Sequence, residues 1–220
     1  MSKTALIVGA TGLVGNNLLP LLLENNGYEK IISISRKSLP FQHPKLEQHL
    51  INFDEIENHT HLFIANDIFC CLGITIAKAG SQENFYKVDH TYVYQMAQYA
   101  LQNGANQIIL ISSIGADKNS SNFYLRTKGQ IESDLIQLHF NKTIIVRPSM
   151  LLGDRTEFRF TEALGKPFMQ ALGILMLGPF QKYKPIEAQT VAMAMLKLAQ
   201  TNADKVKIAE SDELQKLGLN

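Results

Sequence analysis

Short apolar runs alternate along the chain with longer amphipathic segments. Six apolar runs predict strands, at 4–8, 30–35, 47–52, 67–71, 106–112 and 142–146. Three amphipathic segments predict helices, at 13–25, 81–102 and 123–139. Strands that alternate with crossover helices form a parallel sheet with helices on both faces. The pattern therefore predicts an α/β fold with a Rossmann-type, doubly wound parallel sheet.

The pattern changes after residue 150. Three more helices are predicted, at 157–164, 168–177 and 188–201, before a last short strand at 205–209. The segment is too short for an independent domain, so residues 1–220 form one domain with a Rossmann core at 1–150. Residues 151–220 are expected to form a short cap at the carboxyl edge of the sheet, where such folds bind ligands. The helix at 168–177 suits core packing, an apolar substrate pocket or a subunit contact in a homodimer.

A glycine-rich turn, Gly-Ala-Thr-Gly-Leu-Val-Gly, joins the first strand to the first helix. Glycines permit a sharp turn, a close backbone approach to a pyrophosphate and tight helix–strand packing. The helix N-terminus adds free amides and the positive end of its dipole. A tight turn without a ligand is the alternative. We predict that this turn binds the phosphates of a dinucleotide through Gly9, Thr11, Gly12, Leu13, Val14 and Gly15.

A basic pair, Arg36 and Lys37, follows the second strand. NAD-binding folds carry an acidic residue there, which holds the ribose 2′-hydroxyl. A guanidinium instead pairs with a 2′-phosphate. The pair therefore predicts that NADP(H) is preferred over NAD(H). The alternative is that Arg36 and Lys37 are two solvated cations at a strand end that bind no ligand.

A candidate catalytic group comes from the fifth strand and the helix that follows it. Tyr124 and Lys128 lie four residues apart and so share one helix face. An ammonium stabilises a neighbouring phenolate, which makes tyrosine a better proton donor to a reduced carbonyl. Ser113, after the strand, is predicted to bond the substrate oxygen, and Ser112 is the alternative for that role.

Composition narrows the remaining function classes. The formal net charge of +1 gives no reason to expect nucleic acid as a partner. The two cysteines, Cys70 and Cys71, are adjacent and form no disulfide framework, which indicates a reducing compartment, here expected to be the cytoplasm. No apolar stretch is long enough to span a membrane, and no ligand spacing predicts a metal site.

Several motifs together resemble the atypical short-chain dehydrogenase/reductases, specifically the Tat-interacting-protein-like oxidoreductases and their bacterial relatives. The matching stretches are Gly-Ala-Thr-Gly-Leu-Val-Gly at 9–15, Phe-Cys-Cys-Leu-Gly at 69–73, Lys-Ala-Gly at 78–80, Val-Asp at 88–89, Ser-Ser-Ile-Gly-Ala-Asp-Lys at 112–118, Tyr-Leu-Arg-Thr-Lys-Gly at 124–129 and Arg-Pro-Ser-Met-Leu-Leu-Gly-Asp-Arg at 147–155.

The resemblance implies further contacts with NADP(H). It implies that Phe53 and Asp54 line the adenine. The adenosine ribose would lie beside Cys71, Leu72 and Gly73, and the nicotinamide beside Arg147 and Pro148. One departure concerns proton supply. Related extended reductases usually carry asparagine, which can help a proton relay, where this chain has Asp89.

The function expected from these features is NADPH-dependent reduction of a carbonyl on a small organic substrate. The alternative is a regulatory module that binds NADP(H) and a partner protein without turnover. Epimerase or dehydratase chemistry on a nucleotide sugar is a third candidate, but the short C-terminal segment argues against it. The fold alone does not choose among them, whereas Tyr124 and Lys128 favour the enzyme.

Overall fold

The computed structural model describes residues 3–40, 42–153, 178–201 and 204–219. Its centre is a seven-stranded parallel sheet with the order β3-β2-β1-β4-β5-β6-β9. Two further short strands, β7 and β8, pair with each other. The strands are β1 Lys3–Val8, β2 Tyr28–Ser35, β3 Leu46–Leu50, β4 Asp67–Cys70, β5 Gln107–Ile111, β6 Lys142–Arg147, β7 Leu151–Leu152, β8 Ile186–Glu187 and β9 Val206–Glu210.

Helical segments join the successive strands of the sheet, except that a loop without a helix joins β2 to β3. The α-helices are α1 Leu13–Glu24, α2 Ile76–Ala79, α3 Gln82–Tyr86, α4 Tyr92–Gln102, α5 Phe123–Gln137, α6 Ala188–Gln200 and α7 Ser211–Leu219. Two 3-10 segments span Phe53–Leu62 and Gly178–Tyr183. A π-helical turn, Lys87–Thr91, joins α3 to α4.

The sheet is covered on both faces, because its strands alternate between two apolar clusters. In β5, Ile109 faces the cluster that includes residues of α1, α6 and α7. Its neighbours Ile108 and Leu110 face the cluster formed with α4, α5 and the 3-10 segment after β3. Side chains in a strand point alternately to the two faces, so a buried parallel strand is apolar along its whole length. The predicted Rossmann-type, doubly wound sheet is confirmed.

The predicted elements of the core are present, with shifted boundaries. The helix expected at 81–102 begins as predicted, because the Ser81 hydroxyl accepts a hydrogen bond from the Asn84 amide at 3.1 Å. It is interrupted by the π turn, however, and so consists of three segments. The helices predicted at 157–164 and 168–177 lie outside the described residues.

The described part of the C-terminal segment extends the sheet and its helical layers. β9 pairs with β6 as the seventh strand. α6 buries seven side chains and contributes to the same apolar cluster as α1. The division into a core at 1–150 and a cap at 151–220 remains a prediction, since much of the proposed cap falls on residues 154–177, which are not described.

The helix α5 packs directly against a loop backbone. A Cβ atom added at Gly129 would lie 2.2 Å from the carbonyl carbon of Asp117 and equally close to the Lys118 nitrogen. The Asp117 amide also donates to the Leu125 carbonyl of α5 at 3.2 Å. The loop therefore fixes the depth at which α5 lies on the sheet.

We expect Gly129→Ala to lower the free energy of unfolding by about 1–3 kcal/mol, because backbone atoms must move to make room for the methyl group. Chemical denaturation monitored by circular dichroism measures this change. Gln130→Ala, one residue further along α5, is the control and should change stability by less than about 0.5 kcal/mol. Equal stability of both variants and the parent protein would contradict this packing argument.

Candidate active site

The glycine turn after β1 is shaped by two close backbone approaches. Gly9 has a φ of 85°, and a Cβ there would lie 2.5 Å from the carbonyl carbon of Cys71. A Cβ at Gly15 would lie 2.2 Å from the Gly9 carbonyl oxygen. Helix α1 then begins without a side-chain hydrogen bond at Gly12. The bare turn and the uncapped helix end fit the phosphates of a dinucleotide.

The other side chains of the turn differ in exposure. Thr11 is exposed, Leu13 is half-buried and Val14 is buried in the apolar cluster under α1. Val14 therefore has only its backbone to offer a ligand, and its side chain anchors the helix. Contact of all the predicted turn residues with a cofactor remains a prediction.

The loop Cys71–Gly73 lies between the glycine turn and α5 and contacts both of them. At one end, its backbone lies against Gly9. At the other end, a Cβ added to Gly73 would lie 3.2 Å from Oδ1 of Asp89 and 3.7 Å from Nζ of Lys128. A single short loop therefore touches both the predicted phosphate site and the predicted catalytic lysine.

The basic pair lies on the same edge of the sheet as the glycine turn. Arg36 and Lys37 follow β2 and are both exposed. The last residue of β1, Val8, pairs with Ile34 of β2, so the chains leaving these strands emerge side by side. The Ser35 hydroxyl donates to the Lys37 carbonyl at 2.6 Å, which turns the chain after the strand.

Tyr124 and Lys128 lie in the first two turns of α5. The helix begins at Asn122, whose side chain accepts a hydrogen bond from the Leu125 amide at 3.2 Å. The Tyr124 ring packs on buried Phe85 of α3 with 5.5 Å between centroids. This packing restricts the ring without using the phenolic hydroxyl.

The Lys128 ammonium is buried and paired with a carboxylate. Its Nζ lies 2.7 Å from Oδ1 of Asp89, and the two side chains are 7% and 1% exposed. Burial by itself lowers the pKa of Lys128, but the Asp89 carboxylate and, after it, the Tyr124 phenol raise it above its ordinary value overall. The lysine is therefore a fixed cation at neutral pH.

The two serines after β5 have different surroundings. The Ser112 amide donates to the Val146 carbonyl at 2.8 Å, so the chain still follows the sheet at this residue. The Ser112 hydroxyl is buried and has no hydrogen-bond partner among the described residues. Ser113 is half-buried, and its hydroxyl donates to the Ile114 carbonyl at 3.3 Å.

Arg147 ends β6 and Pro148 follows it, and both are held by contacts within the protein. The guanidinium of Arg147 makes a two-pronged contact with Glu132 of α5, in which Nε donates to Oε1 at 3.0 Å and Nη2 contacts Oε2. This hydrogen bonding raises the pKa of Arg147 above its ordinary value despite partial burial. The charge of Arg147 is thus compensated by Glu132. The Pro148 carbonyl accepts a hydrogen bond from the Ile114 amide at 3.0 Å.

The predicted adenine residues are engaged with the protein itself. Phe53 is buried in the core, where its ring lies 5.5 Å from that of Tyr92. The Asp54 carboxylate contacts the ammonium of Lys87 and the hydroxyl of Tyr92. The hydrogen bond from Lys87 and then that from Tyr92 lower the pKa of Asp54. Contact of either residue with adenine remains a prediction.

Two residues of this site were missed as functional candidates in the sequence. Asp89 was noted only as a departure from related reductases, and Glu132 was not noted at all. Glu132 follows Tyr124 and Lys128 at the same four-residue spacing, a signal of a shared helix face. Asp89 falls in a helical pattern, and the π turn that orients it has no clear sequence signature.

In the described part of the chain, no group of three or more histidine, cysteine, aspartate or glutamate side chains could hold a metal ion. The helices described are all too short or too polar to cross a membrane.

Sequence comparison places this chain in a known protein family. The sequence profile of the NAD dependent epimerase/dehydratase family matches residues 5–207. The chain is 33% identical to Protein HTATIP2 of Rattus norvegicus over 222 residues, which cover 99% of this chain and 90% of that protein. It is 38% identical to Protein FMP52, mitochondrial, of Candida glabrata over 212 residues, 93% of this chain and 89% of that protein.

Solved structures share the fold at low identity. MoeE5, in complex with UDP-glucose and NAD, has a TM-score of 0.70 at 13% identity and covers 98% of this chain and 80% of its own. UDP-N-acetylglucosamine 4-epimerase from Methanobrevibacter ruminantium M1 has a TM-score of 0.71 at 15% identity. The match covers 95% of this chain and 76% of the epimerase chain. These similarities support the Rossmann-type fold.

The prediction of a cytoplasmic location is wrong by this comparison. Relatives from Candida albicans, Candida glabrata and Debaryomyces hansenii are named as mitochondrial proteins. The prediction rested on two cysteines without a disulfide framework. That pattern excludes a disulfide-stapled fold but does not distinguish one reducing compartment from another.

Proposed function

Because this chain belongs to the NAD dependent epimerase/dehydratase family, we propose that it is an NADP(H)-dependent oxidoreductase. Its proposed reaction is hydride transfer between NADPH and a carbonyl or hydroxyl group of a small organic substrate. The observation that carries the proposal is the loop Cys71–Gly73, which lies against the glycine turn at Gly9 and against Lys128 at Gly73. A cofactor held at the turn would therefore extend toward the tyrosine–lysine pair.

The proposed cofactor site runs along the carboxyl edge of the sheet. The turn at Gly9–Gly15 would hold the pyrophosphate, and exposed Arg36, with Lys37, would hold the ribose 2′-phosphate. The loop Cys71–Gly73 would border the adenosine ribose. Lys128 keeps ammonium hydrogens for the nicotinamide ribose, since a lysine has three donors.

The proposed reaction needs one proton donor and one group that holds the substrate oxygen. When it is bound, NADPH supplies the hydride and becomes NADP⁺. Tyr124 donates its phenolic proton to the carbonyl oxygen as the carbonyl carbon accepts the hydride. The products are the alcohol and a tyrosinate, which takes a proton from water. Lys128 stabilises that tyrosinate by its charge.

We assign the substrate-oxygen contact to Ser112 rather than to Ser113. Side chains of β5 alternate between the two faces, and Ile108 and Leu110 face the cluster of α4 and α5. Ser112 continues this alternation, so its side chain lies on the face covered by the helix of Tyr124 and Lys128. Its hydroxyl is buried and has no protein partner in the described chain, so a substrate oxygen that reached it would complete its hydrogen bonding.

Arg36→Ala should raise the dissociation constant for NADPH about 10- to 100-fold, because a charge-assisted contact with the 2′-phosphate is lost. The affinity for NADH should stay within about twofold. Calorimetric titration of both cofactors measures the difference. Lys30→Ala, at the other end of β2, is the control. Equal losses for NADPH and NADH would contradict the 2′-phosphate contact.

Tyr124→Phe should lower turnover about 10²- to 10⁴-fold and leave NADPH affinity unchanged, because only the proton donor is removed. The measurement is loss of NADPH absorbance with a panel of aldehydes, ketones and quinones. Tyr183→Phe, at an exposed tyrosine, is the matched control. A parent protein that binds NADPH but reduces none of these compounds would instead support the regulatory alternative.

The serine assignment is tested with a substrate found in that panel. Ser112→Ala should lower turnover about 100-fold, since one donor to the substrate oxygen is lost. Ser113→Ala should change it by less than about threefold. A larger loss of turnover in Ser113→Ala than in Ser112→Ala would indicate that Ser113 makes the contact with the substrate oxygen.

A further inference from the structure

The pair formed by Asp89 and Lys128 is the most deeply buried contact between opposite charges in the candidate site. The two side chains are 1% and 7% exposed, and Nζ lies 2.7 Å from Oδ1. Removing two charges from water costs several kcal/mol for each ion, and their attraction offsets this only when the geometry is good. Such a pair is weak evidence for added stability, so its position beside Tyr124 calls for a functional explanation.

The carboxylate of Asp89 is held from two sides. Its Oδ1 contacts the ammonium, and its Oδ2 accepts a hydrogen bond from the Ile74 amide at 2.9 Å. Ile74 follows the loop Cys71–Gly73, so the same segment that borders the predicted cofactor site also orients this carboxylate. Asp89 itself lies in the π turn Lys87–Thr91, which joins α3 to α4.

The titratable groups that interact with Lys128 are few. They are the Asp89 carboxylate, the Tyr124 phenol and the Cys70 thiol. Burial raises the pKa of Cys70 to about 11, so this thiol is neutral at physiological pH. The nearby His90 is paired separately, with Asp134 of α5 at 2.9 Å. The charge that Lys128 presents to Tyr124 is therefore offset chiefly by Asp89.

We propose that Asp89 is a positioning residue that fixes the Lys128 ammonium and offsets its charge, so that the Tyr124 phenol holds its proton more tightly than it would beside an unpaired lysine. This inference rests on the proposed function, in which Tyr124 is the proton donor. An uncompensated ammonium would stabilise the phenolate and make Tyr124 a stronger acid. The paired lysine stabilises the phenolate less, so Asp89 sets how readily Tyr124 gives up its proton and takes one back.

Asp89→Asn tests the charge, because asparagine keeps the shape of the side chain and removes the anion. The measurement is tyrosinate absorbance against pH on the whole chain, which contains no tryptophan to obscure it. Subtracting the matching Tyr124→Phe protein isolates Tyr124 from the six other tyrosines, since the chain has seven. No substrate or cofactor is needed, so the result does not depend on the proposed enzymatic activity.

In Asp89→Asn we expect the Tyr124 absorbance to appear about one pH unit lower than in the parent protein, a tenfold change in proton affinity. Asp134→Asn is the matched control and should leave the Tyr124 difference curve unchanged, because its carboxylate pairs with His90. That carboxylate also raises the pKa of Tyr86, and the subtraction removes this contribution. An Asp89→Asn curve that coincides with the parent curve would overturn the proposal. A merely structural role would lower thermal stability without moving the titration.

A second pair of variants covers the case in which Asp89→Asn does not fold, since it leaves a buried cation unpaired. Lys128→Met leaves the carboxylate alone, and Tyr124 should then ionise at higher pH than in the parent. Adding Asp89→Asn to Lys128→Met removes both charges and should return the curve toward that of the parent. Identical curves for the single and the double variant would refute the coupling. Failure to bind NADPH would count against the proposed function only, because these titrations use no cofactor.

Discussion

The close approach of two backbones at Gly9 and Cys71 is the constraint on which the site depends. The strands β1 and β4 pair directly, with Val8 opposite Cys70, so the chains that leave them compete for one space. A residue with a side chain cannot occupy position 9, both because its φ is 85° and because its Cβ would meet the Cys71 backbone. Two residues later, the same loop passes beside Asp89 and Lys128. The loop that contacts the glycine turn is thus also the loop that contacts Lys128 of α5.

Three residues of helix α5 share one face, and two of them belong to the proposed catalytic group. Tyr124, Lys128 and Glu132 follow each other at four-residue spacing, and the two charged ones are tied to other elements by Asp89 and Arg147. These two ion pairs link α5 to the π turn and to the end of β6. Removing one partner of such a pair would leave a buried charge uncompensated, so each pair also resists displacement of the helix.

The sheet and its glycine turn were predictable from sequence because each follows from a local pattern. Continuous isoleucine runs predict buried parallel strands, and glycines between strand and helix predict a phosphate-binding turn. The partners of Arg147, Asp54 and Lys128 were not predictable, since each comes from an element far away in the chain. The π turn at Asp89 was missed for a related reason, because the periodicity of 81–102 fits an uninterrupted helix equally well.

The Asp89–Lys128 pair also bears on how Tyr124 regains its proton. With the phenol protonated, the three groups carry a net charge of zero. Donation of the proton to a substrate leaves a tyrosinate beside an ammonium that is already shared with a carboxylate. The resulting net negative charge lies beside the buried pair of Asp89 and Lys128, which favours proton uptake from water. In the proposed mechanism, the charge balance that Asp89 sets therefore also favours recovery of the proton, without requiring a relay asparagine at position 89.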